Sequence, residues 1–174
     1  MMDMSIKNKL GVLVCLLAVV ASAQYARTPL KLPGARPNLY PAGANAQQEI
    51  KEALAAAAPG NKRVILVFGA NWCGDCFALD YAFHQPRIAP LLNANFKVVH
   101  INVGGSDGNG FDKNLDLAQK YHLPIEKGIP SVAVIDSHDK LLYSTPEFEK
   151  ARAMTEEDVL QFLNAWKPPA AHGK

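Results

Sequence analysis

Two cysteines lie two residues apart, directly after an apolar stretch of the chain. The stretch RVILVFGA, which begins at Arg63, is rich in β-branched residues and indicates a strand that is buried on both faces of a sheet. Cys73 and Cys76 follow in the sequence WCGDC and lead into CFALDYAFH, which is typical of a helix. The pair is therefore predicted at the junction of a buried strand and a helix, in a sheet covered by helices.

A cysteine pair at such a junction has three interpretations. In the first, unpaired N–H groups at the helix N-terminus stabilise a thiolate on Cys73, and Cys76 lies one turn later on the same face. The others are half of a zinc site and two small core side chains. Zinc usually takes four ligands, yet there is no second CxxC and the five histidines show no ligand spacing. The pattern therefore favours a redox pair.

The first 23 residues have the pattern of a signal peptide. Lys7 and Lys9 form a short positive region, the apolar run Leu10–Val20 follows, and residues 21–23 (Ala-Ser-Ala) form a small-x-small cleavage site. We expect cleavage before Gln24. We therefore expect a periplasmic or secreted protein.

Two alternatives to a cleaved signal are disfavoured. The apolar run is shorter than the roughly 20 residues of a spanning helix, so we expect no stable membrane insertion after cleavage. A lipid anchor on Cys15 is disfavoured because Val14 is bulky where a small residue is expected. Cleavage removes Cys15 and leaves no distant cysteine for a structural disulfide. Cys73 and Cys76 must then react with each other, with a partner or with a metal.

Composition predicts the domain boundaries. Residues 24–44 are rich in proline, lack hydrophobic periodicity and are interpreted as an extended leader, with a plain spacer as the favoured role. The folded domain is predicted over residues 45–167, and residues 168–174 form a tail. The formal net charge is +2, without a basic block or interleaved aromatic and basic residues. Nothing therefore indicates nucleic-acid binding.

Within the domain, hydrophobic patterns predict the order αβαβαββα. Asn45 is the expected N-cap of the first helix, and Thr155 with Asp158 forms the expected capping box of the last. Because helices separate the first three strands, these are predicted to be parallel, and a final hairpin adds an antiparallel edge. The predicted elements are NAQQEIKEALAAAA, RVILVFGA, CFALDYAFH, FKVVHINV, KNLDLAQKYHL, PSVAVID, KLLYST and TEEDVLQFLNAW.

Residues 45–167 resemble the thioredoxin superfamily. Three features carry the resemblance: WCGDC from Trp72 to Cys76 after a buried strand, GIPS from Gly128 to Ser131 before another strand, and the element order. The resemblance implies an α/β thioredoxin fold, with a mixed central sheet and helices on both faces. It also implies a thiol–disulfide oxidoreductase that needs no cofactor, and the predicted signal peptide indicates that this protein is exported. Its partners would be protein thiols and disulfides and a membrane or periplasmic redox partner.

The resemblance also assigns roles to site residues. Cys73 is implied to be the nucleophile, Cys76 to resolve the mixed disulfide, and the two to form the active-site disulfide. Pro130 is implied to follow a cis peptide bond, next to which the backbone of Ile129 binds an extended substrate. Gly74 is implied to let the substrate backbone approach closely.

Other residues near the motif leave questions open. Trp72 is implied to lie beside the site, although core filling explains it equally well. Asp75 replaces a common proline, and the direction of its effect on the thiol pKa is open because its charge and its helix position act oppositely. Val67 stands where thioredoxins often carry a buried aspartate, which is thought to help deprotonate the resolving thiol. Water, Asp75 or Glu126 would have to take over this role. His100 lies mid-strand and is interpreted as a hydrogen-bonded histidine more readily than as a proton-transfer group.

The sequence therefore predicts an exported oxidoreductase that exchanges disulfides with proteins through Cys-Gly-Asp-Cys. A reductase is favoured over an oxidant, because the large helical insertion typical of the oxidants is missing. The alternatives are a metallochaperone or thiol-docking module for assembling a copper or c-type haem protein, and a redox-idle interaction domain. The loop at residues 104–112 contains Asp107 and Asp112, but a flexible turn bordering the substrate groove is favoured over a calcium site.

Overall fold

The computed structural model describes part of the chain, and the predicted signal peptide lies outside it. Part of the leader, namely residues 24–31, 33 and 35, also lies outside the described residues, as do Asp107 and the last four residues. Across the described residues, no helix combines the length and the apolar character needed to cross a membrane. The described residues are 32, 34, 36–105, 110–145 and 147–170.

The order of helices and strands agrees with the predicted αβαβαββα, with the second helix restarted as a separate short helix that has Pro90 in its first turn. The α-helices are α1 (Ala46–Ala57), α2 (Gly74–Phe83), α3 (Ala89–Asn95), α4 (Leu115–Lys120) and α5 (Glu156–Trp166). The strands are β1 (Arg63–Gly69), β2 (Phe96–Asn102), β3 (Ser131–Ile135) and β4 (Leu141–Thr145). Short 3-10 segments lie at Ala58–Gly60, Ile125–Lys127 and Glu147–Ala153.

The four strands form one mixed sheet in the order β2-β1-β3-β4. β1 and β2 are parallel, as predicted, and β3 and β4 form the predicted antiparallel hairpin. The prediction that β3 is parallel is wrong, because β3 runs antiparallel to β1, with Ser131 opposite Phe68. α4 has only 6 residues, about 9 Å of helix, whereas a strand the length of β2 spans about 23 Å. The helix alone therefore does not span the sheet, and the chain enters β3 beside the end of β1, with Ser131 opposite Phe68.

The central strand β1 is buried on both faces, as its sequence predicts. Val64, Leu66 and Phe68 lie in one core cluster, which α1 and α4 cover. Ile65 and Val67 lie in a second cluster, which α2, α3 and α5 cover. This alternation follows from the period of two in a strand, and it fixes the end of β1 between the two layers of helices.

The predicted caps define the outer helices. Oδ1 of Asn45 accepts a hydrogen bond from the N–H of Gln48 at 3.1 Å, which confirms the N-cap of α1. Oγ1 of Thr155 accepts from the N–H of Asp158 at 3.3 Å, and Oδ2 of Asp158 accepts from the N–H of Thr155 at 2.8 Å. The capping box at the start of α5 is therefore confirmed.

The end of the predicted leader packs against the domain. Tyr40 is only 1% exposed and belongs to the first core cluster, and Leu39 packs against that cluster. The N–H of Tyr40 donates to Oδ1 of Asn71 at 3.1 Å. The carbonyl of Tyr40 accepts from Nδ2 of Asn71 at 2.9 Å and from Nδ2 of Asn102 at 3.1 Å. These bonds fix the segment at the ends of β1 and β2, so that the packed structure begins before Asn45.

Candidate active site

The two cysteines lie at the start of α2. Cys73 is the N-cap residue, and its Sγ accepts a hydrogen bond from the N–H of Cys76 at 3.1 Å. The two side chains form a disulfide. Cys73 is 5% exposed, whereas Cys76 is fully buried. The more accessible sulfur is therefore the one at the helix N-terminus, where backbone N–H groups stabilise a thiolate.

The segment before β3 lies against the disulfide. The peptide bond between Ile129 and Pro130 is cis. The carbonyl oxygen of Ile129 lies 3.5 Å from Sγ of Cys73, and the N–H of Ile129 is paired with no backbone acceptor in the part of the chain that the structure describes. Oγ of Ser131 donates to the carbonyl of Gly128 at 2.8 Å and fixes the turn. The backbone of Ile129 is thus held beside the reacting sulfur.

Trp72 forms part of the surface next to Cys73. Its side chain is 49% exposed, which excludes the core-filling interpretation. Nε1 of Trp72 donates to the carbonyl of Gly104 at 3.0 Å, and the indole stacks on Phe111 with ring centroids 6.4 Å apart. The two rings therefore form a fixed apolar surface beside the disulfide.

Asp75, which lies between the cysteines in sequence, forms an ion pair with Arg152. The backbone N–H of Arg152 donates to Oδ1 of Asp75 at 2.9 Å, and Nε donates to Oδ2 at 3.0 Å. The guanidinium also lies beside Gly74, since a Cβ on that glycine would be 3.5 Å from Nη1 of Arg152. The negative charge of Asp75 is therefore offset by a cation at the same edge of the site.

Sequence comparison agrees with this geometry. The profile of a family described as thioredoxin-like matches residues 45–137, which is more than half of the chain. The chain belongs to the thioredoxin-like family. Among solved structures, a disulphide isomerase from Xylella fastidiosa Temecula1 is 39% identical over 78% of this chain and 97% of its own, with a TM-score of 0.64.

More distant structures share the thioredoxin-like fold. The germline-specific thioredoxin Deadhead of Drosophila melanogaster is 18% identical, over 72% of this chain and 99% of its own, with a TM-score of 0.50. The DsbH oxidoreductase is 17% identical, over 79% of this chain and 93% of its own, also with a TM-score of 0.50. No curated protein sequence matches the chain. With its family and its Cys73–Cys76 disulfide, this thioredoxin-like protein is a thiol–disulfide oxidoreductase.

Among the described residues, a buried carboxylate occurs in α2 rather than at position 67. Val67 is 1% exposed within the core. Of its expected substitutes, Asp75 pairs with Arg152 and Glu126 is exposed. The buried acid is instead Asp80, which is 9% exposed.

Sequence reasoning missed Asp80 and Arg152 for different reasons. Asp80 follows Cys76 by four residues in the same helix, and this spacing was an available signal that both share one face. Arg152 is separated from Asp75 by 77 residues in sequence. No local pattern links residues at that distance, so only the fold could bring Arg152 to the site.

His100 lies beside Asp80, but its Nε2 is buried without a hydrogen-bond partner among the described residues, so the predicted hydrogen bond is not confirmed. Nε2 of His100 is 3.4 Å from Oδ1 of Asp80, and Nδ1 of His84 is 3.7 Å from Oδ2. Burial lowers the pKa of His100 from its ordinary value; the charge of Asp80 acts in the opposite direction, and His84 lowers the pKa further. In the folded protein, His100 is therefore harder to protonate than in the unfolded chain.

This shift makes stability depend on pH. Because the unfolded chain binds the proton more readily, the free energy of unfolding falls as the pH drops below about 6.5, the ordinary histidine value. We expect His100→Gln to lose less stability on acidification than the wild type, as measured by urea unfolding between pH 7 and 5. His138→Gln, at an exposed histidine, is the control and should follow the wild type. Equal acid sensitivity of His100→Gln and wild type would contradict the prediction.

The ion pair between Asp75 and Arg152 is expected to affect the pKa of the Cys73 thiol. We expect Arg152→Gln to raise the pKa of the Cys73 thiol by a few tenths of a unit, because Asp75 is left uncompensated, and Asp75→Asn to lower it. The effect is small because the Arg152 side chain is 65% exposed and solvent screens the pair. The pH dependence of alkylation of the reduced protein measures both shifts. Arg87→Gln removes another half-exposed, paired arginine and should change nothing. Equal pKa values in all variants would exclude an electrostatic role for the pair.

Proposed function

We propose that this protein is exported and exchanges disulfides with protein substrates through Cys73 and Cys76, acting mainly as a reductase. The observation that supports this most directly is the hydrogen bond from the N–H of Cys76 to Sγ of Cys73 at the start of α2. The same N–H would stabilise the Cys73 anion in the reduced enzyme, which makes Cys73 the nucleophile. Cys76, which is fully buried, then attacks Sγ of Cys73 and displaces the substrate thiolate.

The proposed cycle balances as a dithiol–disulfide exchange. The enzyme dithiol gives two electrons to the substrate disulfide, and the enzyme disulfide and the substrate dithiol result. Restoring the enzyme dithiol needs an electron donor, which for an exported protein is a membrane or periplasmic redox partner.

We assign substrate binding to the residues around Cys73. An extended substrate would pair with the backbone of Ile129, which the cis bond to Pro130 holds beside the sulfur. Trp72 would contact apolar substrate side chains with its exposed half. Gly74 and Asp75 would contact the substrate backbone at the start of α2.

The reducing direction is supported by the charges at the start of α2. A dedicated oxidant requires a strongly stabilised reduced form. Here the cation of Arg152 is neutralised by Asp75, so the pair adds no net positive charge near Cys73. Disulfide isomerisation, which the name of the Xylella protein suggests, also starts from the dithiol form and is the neighbouring activity to test.

Two measurements on the purified mature protein test the direction. The first is the equilibrium of the Cys73–Cys76 disulfide with glutathione, and the second is the rate of insulin reduction with a small dithiol as electron source. A reductase should have a potential close to about −270 mV, whereas a value near about −120 mV would identify an oxidant. Reactivation of scrambled ribonuclease separates an isomerase from a simple reductase. Negligible turnover with stoichiometric copper capture would identify a metallochaperone instead.

Export is tested separately with the full chain. Expression in a Gram-negative bacterium should give a periplasmic protein whose N-terminal residue is Gln24. Ala23→Leu places a large residue at the predicted cleavage site and should leave the chain uncleaved. An uncleaved wild-type chain in the cytoplasm would contradict the proposal.

A further inference from the structure

The hydroxyl of Tyr40 is buried without a hydrogen-bond partner. The side chain is 1% exposed, and Oη has no partner among the described protein atoms. Most buried polar atoms are hydrogen-bonded, and a buried tyrosine hydroxyl usually finds a partner. The other fully buried tyrosine, Tyr121, follows this rule, since its hydroxyl donates to Oδ1 of Asp139 at 2.8 Å. The exception at Tyr40 therefore requires an explanation.

The hydroxyl of Tyr40 lies close to the sulfur of Cys76. A Cβ placed on Gly69, the last residue of β1, would lie 2.5 Å from Oη of Tyr40 and 2.8 Å from Sγ of Cys76. Oη of Tyr40 and Sγ of Cys76 are therefore at most 5.3 Å apart. Any larger residue at position 69 would fill this space, so Gly69 is what allows the two atoms to share it.

Burial, more than the nearby charges, keeps the hydroxyl of Tyr40 protonated. Burial, and to a smaller extent the negative charge of Asp80, raise the pKa of Tyr40 well above its ordinary value. His100 of β2 packs edge-on against the Tyr40 ring, with ring centroids 5.4 Å apart, and its Nε2 faces Asp80. Three ionisable groups of the described residues lie near this hydroxyl. They are Asp80 of α2, His100 of β2, and His84, which lies beyond Asp80 at the C-terminus of α2. The hydroxyl is therefore available only as a neutral donor or acceptor.

We propose that the Tyr40 hydroxyl donates a hydrogen bond to Sγ of Cys76 in the reduced enzyme. In the oxidised state Sγ of Cys76 is bonded to Sγ of Cys73, and the Tyr40 hydroxyl forms no hydrogen bond with it. Reduction by the dithiol of the redox partner, which is itself oxidised to a disulfide, converts Cys76 to a thiol and, after loss of its proton, to a thiolate. A thiolate is a strong, charged acceptor. The partner that Tyr40 lacks is thus created by the reaction itself.

This contact makes Tyr40 a positioning residue for the resolving step. A hydrogen bond to a charged group favours the thiolate of Cys76 by roughly tenfold or more. Cys76 is the less accessible sulfur and attacks as the thiolate, so Tyr40 speeds release of the substrate without touching it. The inference rests on the disulfide exchange proposed above, but its test measures the ionisation of Cys76 and not turnover.

The decisive variant is Tyr40→Phe, which removes the hydroxyl and keeps the ring. We expect the pKa of Cys76 in the reduced protein, followed by NMR of 13C-labelled cysteine Cβ atoms, to rise by about one unit. Below that pKa, release of a mixed disulfide on Cys73 should slow about tenfold. Tyr121→Phe also removes a buried tyrosine hydroxyl and should leave both values unchanged.

A second measurement needs no variant. In the wild type, the 13Cζ resonance of Tyr40 should shift when the disulfide is reduced and shift again as Cys76 ionises, whereas that of Tyr121 should not. An unchanged Cys76 pKa in folded Tyr40→Phe would overturn the proposal. If Tyr40→Phe does not fold, a Tyr40 resonance that ignores both reduction and Cys76 ionisation would overturn it instead. Absence of insulin reduction by the wild type would refute the proposed function. The Cys76 pKa and the Tyr40 resonance could still be measured and would still test the hydrogen bond.

Discussion

Cys73→Ser is expected to abolish disulfide exchange, with a loss of insulin reduction of roughly 10³-fold or more, because a serine hydroxyl does not ionise near neutral pH. The structure explains why Cys73, and not Cys76, is expected to be the nucleophile. Cys73 is the N-cap of α2, and its sulfur is the less buried of the two and accepts the N–H of Cys76. Serine is also a good N-cap, so the helix should be retained while the nucleophile is lost.

Cys76→Ser is the matched variant and should behave differently. It keeps the nucleophile but removes the buried resolving sulfur, so it should react once and retain the substrate as a mixed disulfide. Non-reducing gels and mass spectrometry detect this species, which Cys73→Ser should not form. Insulin reduction by Cys73→Ser at the wild-type rate would show that the pair is redox-idle and that the chain serves as an interaction domain.

Gly69→Ala is expected to destabilise the folded protein by overpacking the core beside the disulfide. The added Cβ would lie 2.5 Å from Oη of Tyr40 and 2.8 Å from Sγ of Cys76, closer than real Cβ atoms approach other heavy atoms. Both neighbours are buried and cannot move into solvent, so the surrounding core must shift. Overpacking of this kind costs about 1–3 kcal/mol. Urea unfolding of the oxidised protein should show the loss as a lower midpoint with an unchanged slope.

The control for Gly69→Ala is an exposed glycine with space around it. A Cβ on Gly43 would meet no atom within 4 Å, so Gly43→Ala should unfold at about the wild-type midpoint. A Gly69→Ala protein as stable as Gly43→Ala would show that the space between Tyr40 and Cys76 is wider than the structure indicates.

Local chemistry was enough to predict the elements that flank the site. Strand β1 follows from a continuous apolar run, and the start of α2 follows from the position of the cysteines after it. The caps at Asn45 and Thr155 follow from side chains that bond within three residues of themselves. In each case the interaction that decides the structure lies within a few residues of sequence, where a pattern can record it.

The features that sequence did not predict depend on distant contacts. The direction of β3 depends on the end of the sheet to which the connection after β2 returns the chain, and the pattern of β3 itself is the same for either direction. Arg152 reaches Asp75 because the 3-10 segment Glu147–Ala153 packs against α2 in the fold. Tyr40 carries no periodic signal, and only the space left by Gly69 gives it a place in the core.

The hydrogen bonds of Tyr40 show that the intact site requires residues before the start of the family match. The match to the thioredoxin-like family begins at residue 45, five positions beyond an aromatic ring that closes the underside of the redox centre. A chain shortened at its N-terminus to residue 45 would keep both cysteines and every helix and strand described, yet water would reach the buried sulfur of Cys76 from the side that Tyr40 covers. Activities measured on such a truncated chain would not represent those of the chain that contains Tyr40.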